Sequence, residues 1–343
     1  MTRPTVHDVA KTAGVSLATV DRVLNLRPGV RERTITRVHD AIDTLGYVRD
    51  VAAANLARQR SYTLVFVLPA GETAFLQALS TEIAAAAPRA AVERAQIRLL
   101  RVPPHDPYAF ARALGGLGDV DGVALMAPET PQVRDAVRRL KLRGVPVVAL
   151  VSDLPNTGRD HFAGINNVAA GRTAGVLMGR FLGGHLGHSG QVLVLAGSML
   201  SRDHVDRRLG FDEVMRRDFP GLCVLPSVEG RDDAETIERI LPSVLAAHPA
   251  IRGIYALGAG NRGLIRVLQA GHAVPRRAVI VHELSPHART ALETGTLDAV
   301  ITQDVGHVIR SAIRVLRAKS DGVEIIASQE RIRIDIVLRE NLF

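Results

Sequence analysis

Apolar residues along the first 60 positions recur at helical spacing in short bursts, and from position 62 onward they change to compact, strand-sized runs. In the first region Val6, Val9, Ala10 and Ala13 share one helical face. A second burst spans Leu17–Leu24, and a third, Glu32–Leu45, carries Ile35, Val38, Ile42 and Leu45 on one side. Beyond these, runs rich in Val, Ile and Leu alternate with helical stretches. The runs are Tyr62–Leu68, Gln96–Val102, Asp121–Ala127, Pro146–Val151, Phe162–Ile165, Gln191–Ala196, Leu222–Val228, Gly253–Leu257, Ala278–His282, Ala299–Gln303 and Ile332–Leu338. Helices are predicted over Gln132–Arg143, Ala169–Leu182, Thr236–Ala247 and Val305–Ala318. Continuous apolar strands suit a parallel sheet buried on both faces, and the alternation predicts a doubly wound α/β core. Eleven strands exceed one comfortable sheet, so two lobes are expected.

The punctuation of the first region supports three short helices. Thr5, with Asp8 three residues on, forms a capping pattern, Gly14 suits a left-handed stop, and Ser16 is a strong N-cap for the second helix. Helix, glycine turn and helix within twenty residues is the helix-turn-helix arrangement, whose second helix enters the major groove by its N-terminal end. Leu17 and Ala18 would then face bases, and Arg22 can fork onto a guanine. Ser16 and Thr19 would meet phosphate, helped by the helix N-terminus. The segment Asp50–Arg58 has high helix propensity but is too short to stand alone, and Leu56 is its one large apolar side chain, suited to wedge into a minor groove.

Thr5-Val6-His7-Asp8-Val9-Ala10, Ala13-Gly14-Val15-Ser16, Thr19-Val20, Arg22-Val23-Leu24-Asn25 and Leu45-Gly46-Tyr47 together resemble the DNA-binding headpiece of the LacI family. The resemblance runs without a gap to about Ser61, with Ala53, Leu56 and Ala57 where the family has its hinge helix. It implies a headpiece over 1–48, a hinge over 49–60 and an effector-binding core over 61–343. That core resembles periplasmic sugar-binding proteins, with a first lobe at about 61–165 and 299–328 and a second at about 166–298 and 329–343. DNA contacts carried over from the resemblance are Thr5, Ser16, Leu17, Ala18, Thr19, Arg22, Asn25, Ala53 and Leu56. Asp21 departs from the pattern, standing where the family has a small hydroxyl residue near phosphate. Arg31 departs as well, standing where a capping Ser or Thr is expected.

Ligands of open α/β sheets sit beyond the carboxyl ends of the strands. The polar or aromatic residues there, several shared with the family, are Phe75, Asp153, Asn167, Arg207, Asn261, Glu283 and Gln303. Arg207 heads an Arg-x-x-Gly-aromatic pattern that the family also has. One guanidinium, carboxylates and amides suit vicinal hydroxyls, which both donate and accept, and Phe75 can stack on the apolar face of a sugar ring. A rival signal is Gly258-Ala259-Gly260-Asn261-Arg262-Gly263, a G-x-G-x-x-G between a strand and a helix, with Glu283 twenty residues after Gly263. It is the pattern of a dinucleotide site, here placed late in the chain. The alternative function it offers is an NAD-type redox-sensing regulator or enzyme.

Composition narrows the choice. Of the net charge of +8, half lies in residues 1–60, where ten Lys and Arg stand against six Asp and Glu, as suits a polyanionic partner. One cysteine, Cys223, excludes a disulfide scaffold, and no apolar run approaches a membrane span. The N-terminus has no signal-peptide pattern, so a cytoplasmic protein is expected. No Ser-His-Asp or Cys-His set appears, and His185 and His188 have no third ligand at metal spacing. The expectation is no cofactor, no metal and no enzyme. With the family resemblance, the expected protein is a repressor of sugar or polyol genes, homodimeric or tetrameric, released from palindromic operator DNA by a small polyhydroxylated effector.

Overall fold

The structure, a computed structural model, describes residues 4–25, 27–47, 60–104, 106–183, 189–258, 260–271 and 276–342. The contacts divide the chain into two units, Met1–Arg60 and Ser61–Phe343.

Among the described residues the first unit is α1 (Val6–Ala13), α2 (Leu17–Leu24) and α3 (Glu32–Leu45). At α1 the Thr5 N–H donates to Asp8 Oδ2 over 2.8 Å, and the Asp8 N–H donates back to Thr5 Oγ1 over 3.4 Å. Two of the helix's otherwise orphaned donors are thereby satisfied. Gly14 stops the helix at φ +61, and Ser16 accepts the Thr19 N–H to start α2. Val9, Ala10, Ala13, Val20, Val23, Val38 and Ala41 form the small core. Arg37 reaches from α3 to the carbonyls of Ala13 and Gly14, which the end of α1 leaves free. Arg31 starts α3 with no side-chain cap, so that departure from the family pattern is real.

In the second unit a five-stranded parallel sheet runs β2-β1-β3-β4-β5: β1 (Tyr62–Pro69), β2 (Ala95–Val102), β3 (Gly122–Leu125), β4 (Val147–Leu150) and β5 (His161–Ala163). Its helices are α4 (Ala74–Val92), α5 (Pro107–Gly115) and α6 (Pro131–Leu142). A second sheet holds β6 (Gly190–Ala196), β7 (Leu222–Val224), β8 (Val228–Glu229), β9 (Ile251–Ala256), β10 (Ala278–His282), β11 (Ala299–Thr302) and β12 (Asp335–Val337). With it go α7 (Asn167–Phe181), α8 (Arg202–Asp218), α9 (Ala234–Ala247), α10 (Asn261–Ala270) and α11 (Pro286–Glu293). Helix α12 (Val305–Ser320) returns to the first sheet and packs on β3, β4 and β5.

Two readings change. The run Ala299–Gln303 was expected in the first lobe, but β11 lies between β10 and β12, with Val300 opposite both Val281 and Val337. The chain therefore crosses back after β11. The apolar run itself reads alike in either sheet, and only non-local pairing decides which sheet it joins. The run Leu222–Val228 breaks into β7 and β8, because Pro226 has no N–H to give the ladder. The last strand is also shorter than its run, and it is antiparallel to β11.

One packing feature places the site. Gly171, Gly175 and Gly179 recur every four residues on one face of α7. A Cβ on Gly171 would stand 1.9 Å from the Arg207 carbonyl oxygen, and one on Gly179 would stand 2.3 Å from the Phe219 ring. From the other side, a Cβ on Gly210 would meet the Val168 carbonyl at 2.0 Å. The two helices thus touch backbone to backbone, which carries Arg207 into the interior. Gly171→Ala gains up to ~1 kcal/mol of helix propensity but overpacks a rigid contact at ~1–3 kcal/mol. The expected outcome is net destabilisation together with a weaker effector response, checked by denaturant melts and ligand titration of one sample.

Candidate functional site

Helix α2 turns its buried Val20 and Val23 inward, which leaves Leu17, Ala18 and Arg22 exposed on its outer face. Leu17 is 42% exposed, a large apolar group that the small core does not use. Ser16 Oγ and Thr19 Oγ1 lie 2.9 Å apart at the helix N-terminus, where free N–H groups favour an anion. Asp21, the acid at odds with a phosphate-facing position, accepts from Asn25 Nδ2 at 2.8 Å and stands 3.6 Å from Arg27. Its charge therefore has local cationic and amide partners. The same bond ties the Asn25 side chain back to its own helix, and Thr5 donates its hydroxyl to Asp8 at 2.8 Å. Both residues have structural duties besides any contact with DNA. Ala53 and Leu56 lie outside the described residues.

In the core, the strand ends converge on Arg207, which is 2% exposed. Its Nε donates to Asn167 Oδ1 at 2.8 Å and its Nη1 to the Leu257 carbonyl at 2.5 Å. Asp203, one turn earlier on α8, lies 3.8 Å from Nη1, and Glu283 lies 4.0 Å from Nη2. Gln303 Nε2 donates to Glu283 Oε1 at 3.1 Å, and Asn261 Nδ2 donates to the His282 carbonyl at 2.7 Å. Five of the seven residues nominated for the cleft, Asn167, Arg207, Asn261, Glu283 and Gln303, therefore gather around the ends of β9, β10 and β11. Residues not singled out for the site join them: Asp203, His204, Tyr255 and His282. The Tyr255 hydroxyl lies 2.8 Å from His282 Nε2, and the Phe211 ring stacks at 4.6 Å from Tyr255. Asp203 at four residues before Arg207 was a signal within reach, whereas Tyr255 and His282 sat inside apolar runs.

Backbone strain marks the same places. Val151 and Glu283 adopt φ +62 and +69, each the first residue after a strand, β4 and β10. Few β-branched residues tolerate that region, so their surroundings must impose it. Asn167 Nδ2 donates to the Val151 carbonyl at 3.1 Å, and the Glu283 N–H donates to Ile301 at 2.9 Å.

The electrostatics follow from burial. Burial pushes the Glu283 carboxyl up to about 7, against the pull of Arg207. Burial would also raise Asp203, but the charges of His204 and Arg207 outweigh it and hold that group below its usual value. Burial, aided by Arg207, drives His282 well below an ordinary imidazole, so it sits neutral beside Tyr255.

The remaining nominated residues lie elsewhere. Asp153 is clasped by Arg159, with Nη2 at 2.5 Å, and takes the Leu154 N–H at 2.7 Å. It lines a cavity of about 680 Å³ beside the segments that join the lobes, together with Asn167, Asp206 and Glu330. Phe75, in the first turn of α4, packs partly buried against the main core. Across the lobes Arg202 Nη1 meets Glu129 Oε2 at 3.2 Å, and the Asp203 N–H donates to Ser152 Oγ at 3.4 Å.

The glycine motif serves packing rather than a pyrophosphate. A Cβ on Gly258 would fall 2.2 Å from His204 Nε2, and one on Gly263 would fall 2.2 Å from the Ala234 carbonyl. Gly260 starts α10 at φ +93. The space that a dinucleotide needs beside these glycines is thus filled by His204 and α9. Among the described residues no group of His, Cys, Asp and Glu could hold a metal ion, and no helix is long and apolar enough to cross a membrane.

A family profile described as periplasmic binding protein domain matches residues 64–324, and one described as bacterial regulatory proteins, lacI family, matches residues 5–50. The chain joins a lacI-family regulatory domain to a periplasmic-binding-protein domain that spans most of its length. A relative it matches over its first part, at 42% identity over 64 residues and 19% of each chain, is the HTH-type transcriptional regulator GalR of Escherichia coli. The chain is 39% identical over 79 residues to catabolite control protein A of Streptococcus mutans, a match covering 23% of this chain and 24% of that protein. It is 24% identical over 287 residues to the HTH-type transcriptional regulator GntR of Pseudomonas aeruginosa, covering 81% of this chain and 79% of that one. The first two of these matches thus span at most about a quarter of the relative's length. Among solved structures, the core resembles a solute-binding protein of Burkholderia graminis in complex with D-arabinose. The TM-score is 0.74 at 22% identity, over 82% of this chain and 96% of that one. A putative LacI transcriptional regulator of Bacteroides fragilis gives 0.70 at 18%, over 82% and 98%. These likenesses establish the two-lobed periplasmic-binding-protein fold of the core.

Proposed function

We propose that this protein is a cytoplasmic, homodimeric LacI-family repressor of sugar or polyol uptake or catabolism genes, released from a palindromic operator by a small polyhydroxylated effector. The observation that carries it is the buried set around Arg207, which joins a guanidinium, two carboxylates and three amides at the carboxyl ends of strands in the fold of sugar-binding relatives. Vicinal hydroxyls take such groups in pairs. The exposed outer face of α2 is the half that meets DNA. Ser16 and Thr19 sit toward phosphate, Leu17 and Ala18 toward base edges, and Arg22 toward a guanine. Two headpieces then read two half-sites, with Leu56 of the hinge at the centre. The effector acts by preferring the state that cannot hold operator.

The test is selection of bound sites from random duplexes by the purified protein, followed by footprinting of the selected site with and without a panel of sugars and polyols. Protection of a palindrome, lost on adding one of them, is the expected result. Protection that no polyol alters would overturn the effector half of the reading. Arg22→Ala should weaken operator binding by ~1–3 kcal/mol while leaving effector affinity unchanged. Mobility shifts on operator and scrambled DNA check it, and an unchanged operator affinity would remove Arg22 from the base readers.

A further inference from the structure

We infer that the cleft selects an effector without negative charge, one offering at least three hydrogen-bond donors and an acceptor, and that it rejects the phosphorylated and carboxylated forms of the same sugar. This rests on the reading of the Arg207 cluster as the effector site. Five atoms there are buried with no hydrogen-bond partner among the described residues: Asp203 Oδ1, Asn261 Oδ1, Gln303 Oε1, Arg207 Nη2 and His282 Nδ1. Their residues are 4%, 9%, 4%, 2% and 0% exposed. Three are acceptors, one is a donor, and the imidazole nitrogen serves as either according to its tautomer. The amide orientations are fixed by their other bonds, because Asn261 Nδ2 donates to the His282 carbonyl and Gln303 Nε2 to Glu283, which leaves each amide oxygen as the unpaired end. Leaving such groups dry and unpaired is unfavourable, so the ligand that fits is the mirror of the set: rich in O–H or N–H donors.

Charge points the same way. Two carboxylates, Asp203 and Glu283, face the one guanidinium of the inner cluster, and the His204 imidazole there is already beside a carboxylate, its Nε2 3.7 Å from Asp203. Further out, Asp153 holds Arg159, and Asp206 and Glu129 share Arg202. Each of these three guanidinia already has a carboxylate, and carboxylates outnumber them. Arg331 lines the adjoining cavity but is exposed, where solvent screens it. A phosphate or carboxylate entering the inner cluster would bring another negative charge and further acceptors to a place already short of donors. A hydroxyl or an ammonium group meets no such cost, and sites built around buried polar groups discriminate strongly on this kind of mismatch.

The experiment titrates the full-length protein, by calorimetry and thermal shift, with matched sets built on one carbon skeleton. Each set has a neutral sugar or polyol, its amino sugar, its aldonic or uronic acid and its phosphate. The expected result is that the neutral or amino member of the active set binds at least ~100-fold more tightly than its acid and phosphate. At pH 8, where the Glu283 carboxyl, pushed up to about 7 by burial, is ionised, Glu283→Gln should narrow that gap by about tenfold, as one charge is removed. An acid or phosphate that binds as well as its neutral partner, with Arg207→Ala still abolishing binding, overturns the selectivity and leaves the effector site standing. If no member of any set binds, or if binding is indifferent to Arg207→Ala, the reading of the site and this inference fall together.

Discussion

Arg207→Ala is expected to abolish the response to effector while operator binding persists, giving a regulator held in one state. The guanidinium is buried between Asp203, Glu283, Asn167 and the Leu257 carbonyl. Truncation removes the donor that pairs with the ligand, and it strands two carboxylates in a buried place. Removing one partner of a buried ion pair costs about 3–5 kcal/mol, because the other charge is left uncompensated. Part of that falls on folding, so the melting temperature should drop as well. Arg207→Lys separates the two effects. It keeps a positive charge for Asp203 but loses the fork that spans Asn167 and Leu257, so stability should largely return while effector affinity stays low. Parallel melting curves, effector titrations and mobility shifts decide it. An Arg207→Ala protein that still releases operator at the parent's effector concentration would show that the ligand binds elsewhere.

The local rules of the chain were legible because they depend on neighbours in sequence. Thr5 with Asp8, Gly14 and Ser16 set the helix ends where the periodicity implied, and the strands from Tyr62 onward follow their apolar runs. What escaped was non-local. Ala299–Thr302 carries no mark of which sheet it joins. The glycines of α7 look like ordinary breaks in helix propensity until α8 is seen against them. In the cleft, Arg207, Glu283, Gln303, Asn261 and Asn167 could be picked because strand ends are where ligands sit. Phe75 and Asp153 obeyed the same rule yet found nearer partners, the core for one and Arg159 for the other. The G-x-G-x-x-G pattern shows the converse hazard. Its spacing matched a phosphate loop, but close contacts with His204 and Ala234 require glycine there for reasons internal to the fold.

Glu283→Gln should stabilise the protein at alkaline pH and do little at acidic pH. The Glu283 carboxyl, ordinarily near 4.5, is pushed up to about 7 by burial despite Arg207. Between these values the folded protein holds a proton that the unfolded chain has released. The folded state is therefore undisturbed by this group below about pH 4.5, loses stability as pH rises through the interval, and carries the full penalty above pH 7. At 1.36 kcal/mol per unit, the penalty at pH 8 is roughly 3 kcal/mol. The side chain is 15% exposed, so solvent screening does little to reduce it. Glutamine is uncharged at every pH and can still accept from Gln303, while Asp203 continues to balance Arg207. Asp203 contributes the opposite trend, since its lowered carboxyl adds stability that is lost only as the medium turns strongly acid. The two slopes therefore occupy different pH ranges and can be resolved in one experiment. Denaturant melts of parent and variant at pH 5 and pH 8 should differ markedly at the higher pH and nearly coincide at the lower one. An equal difference at both would mean that Glu283 is ionised throughout, with Arg207 as its full counter-charge.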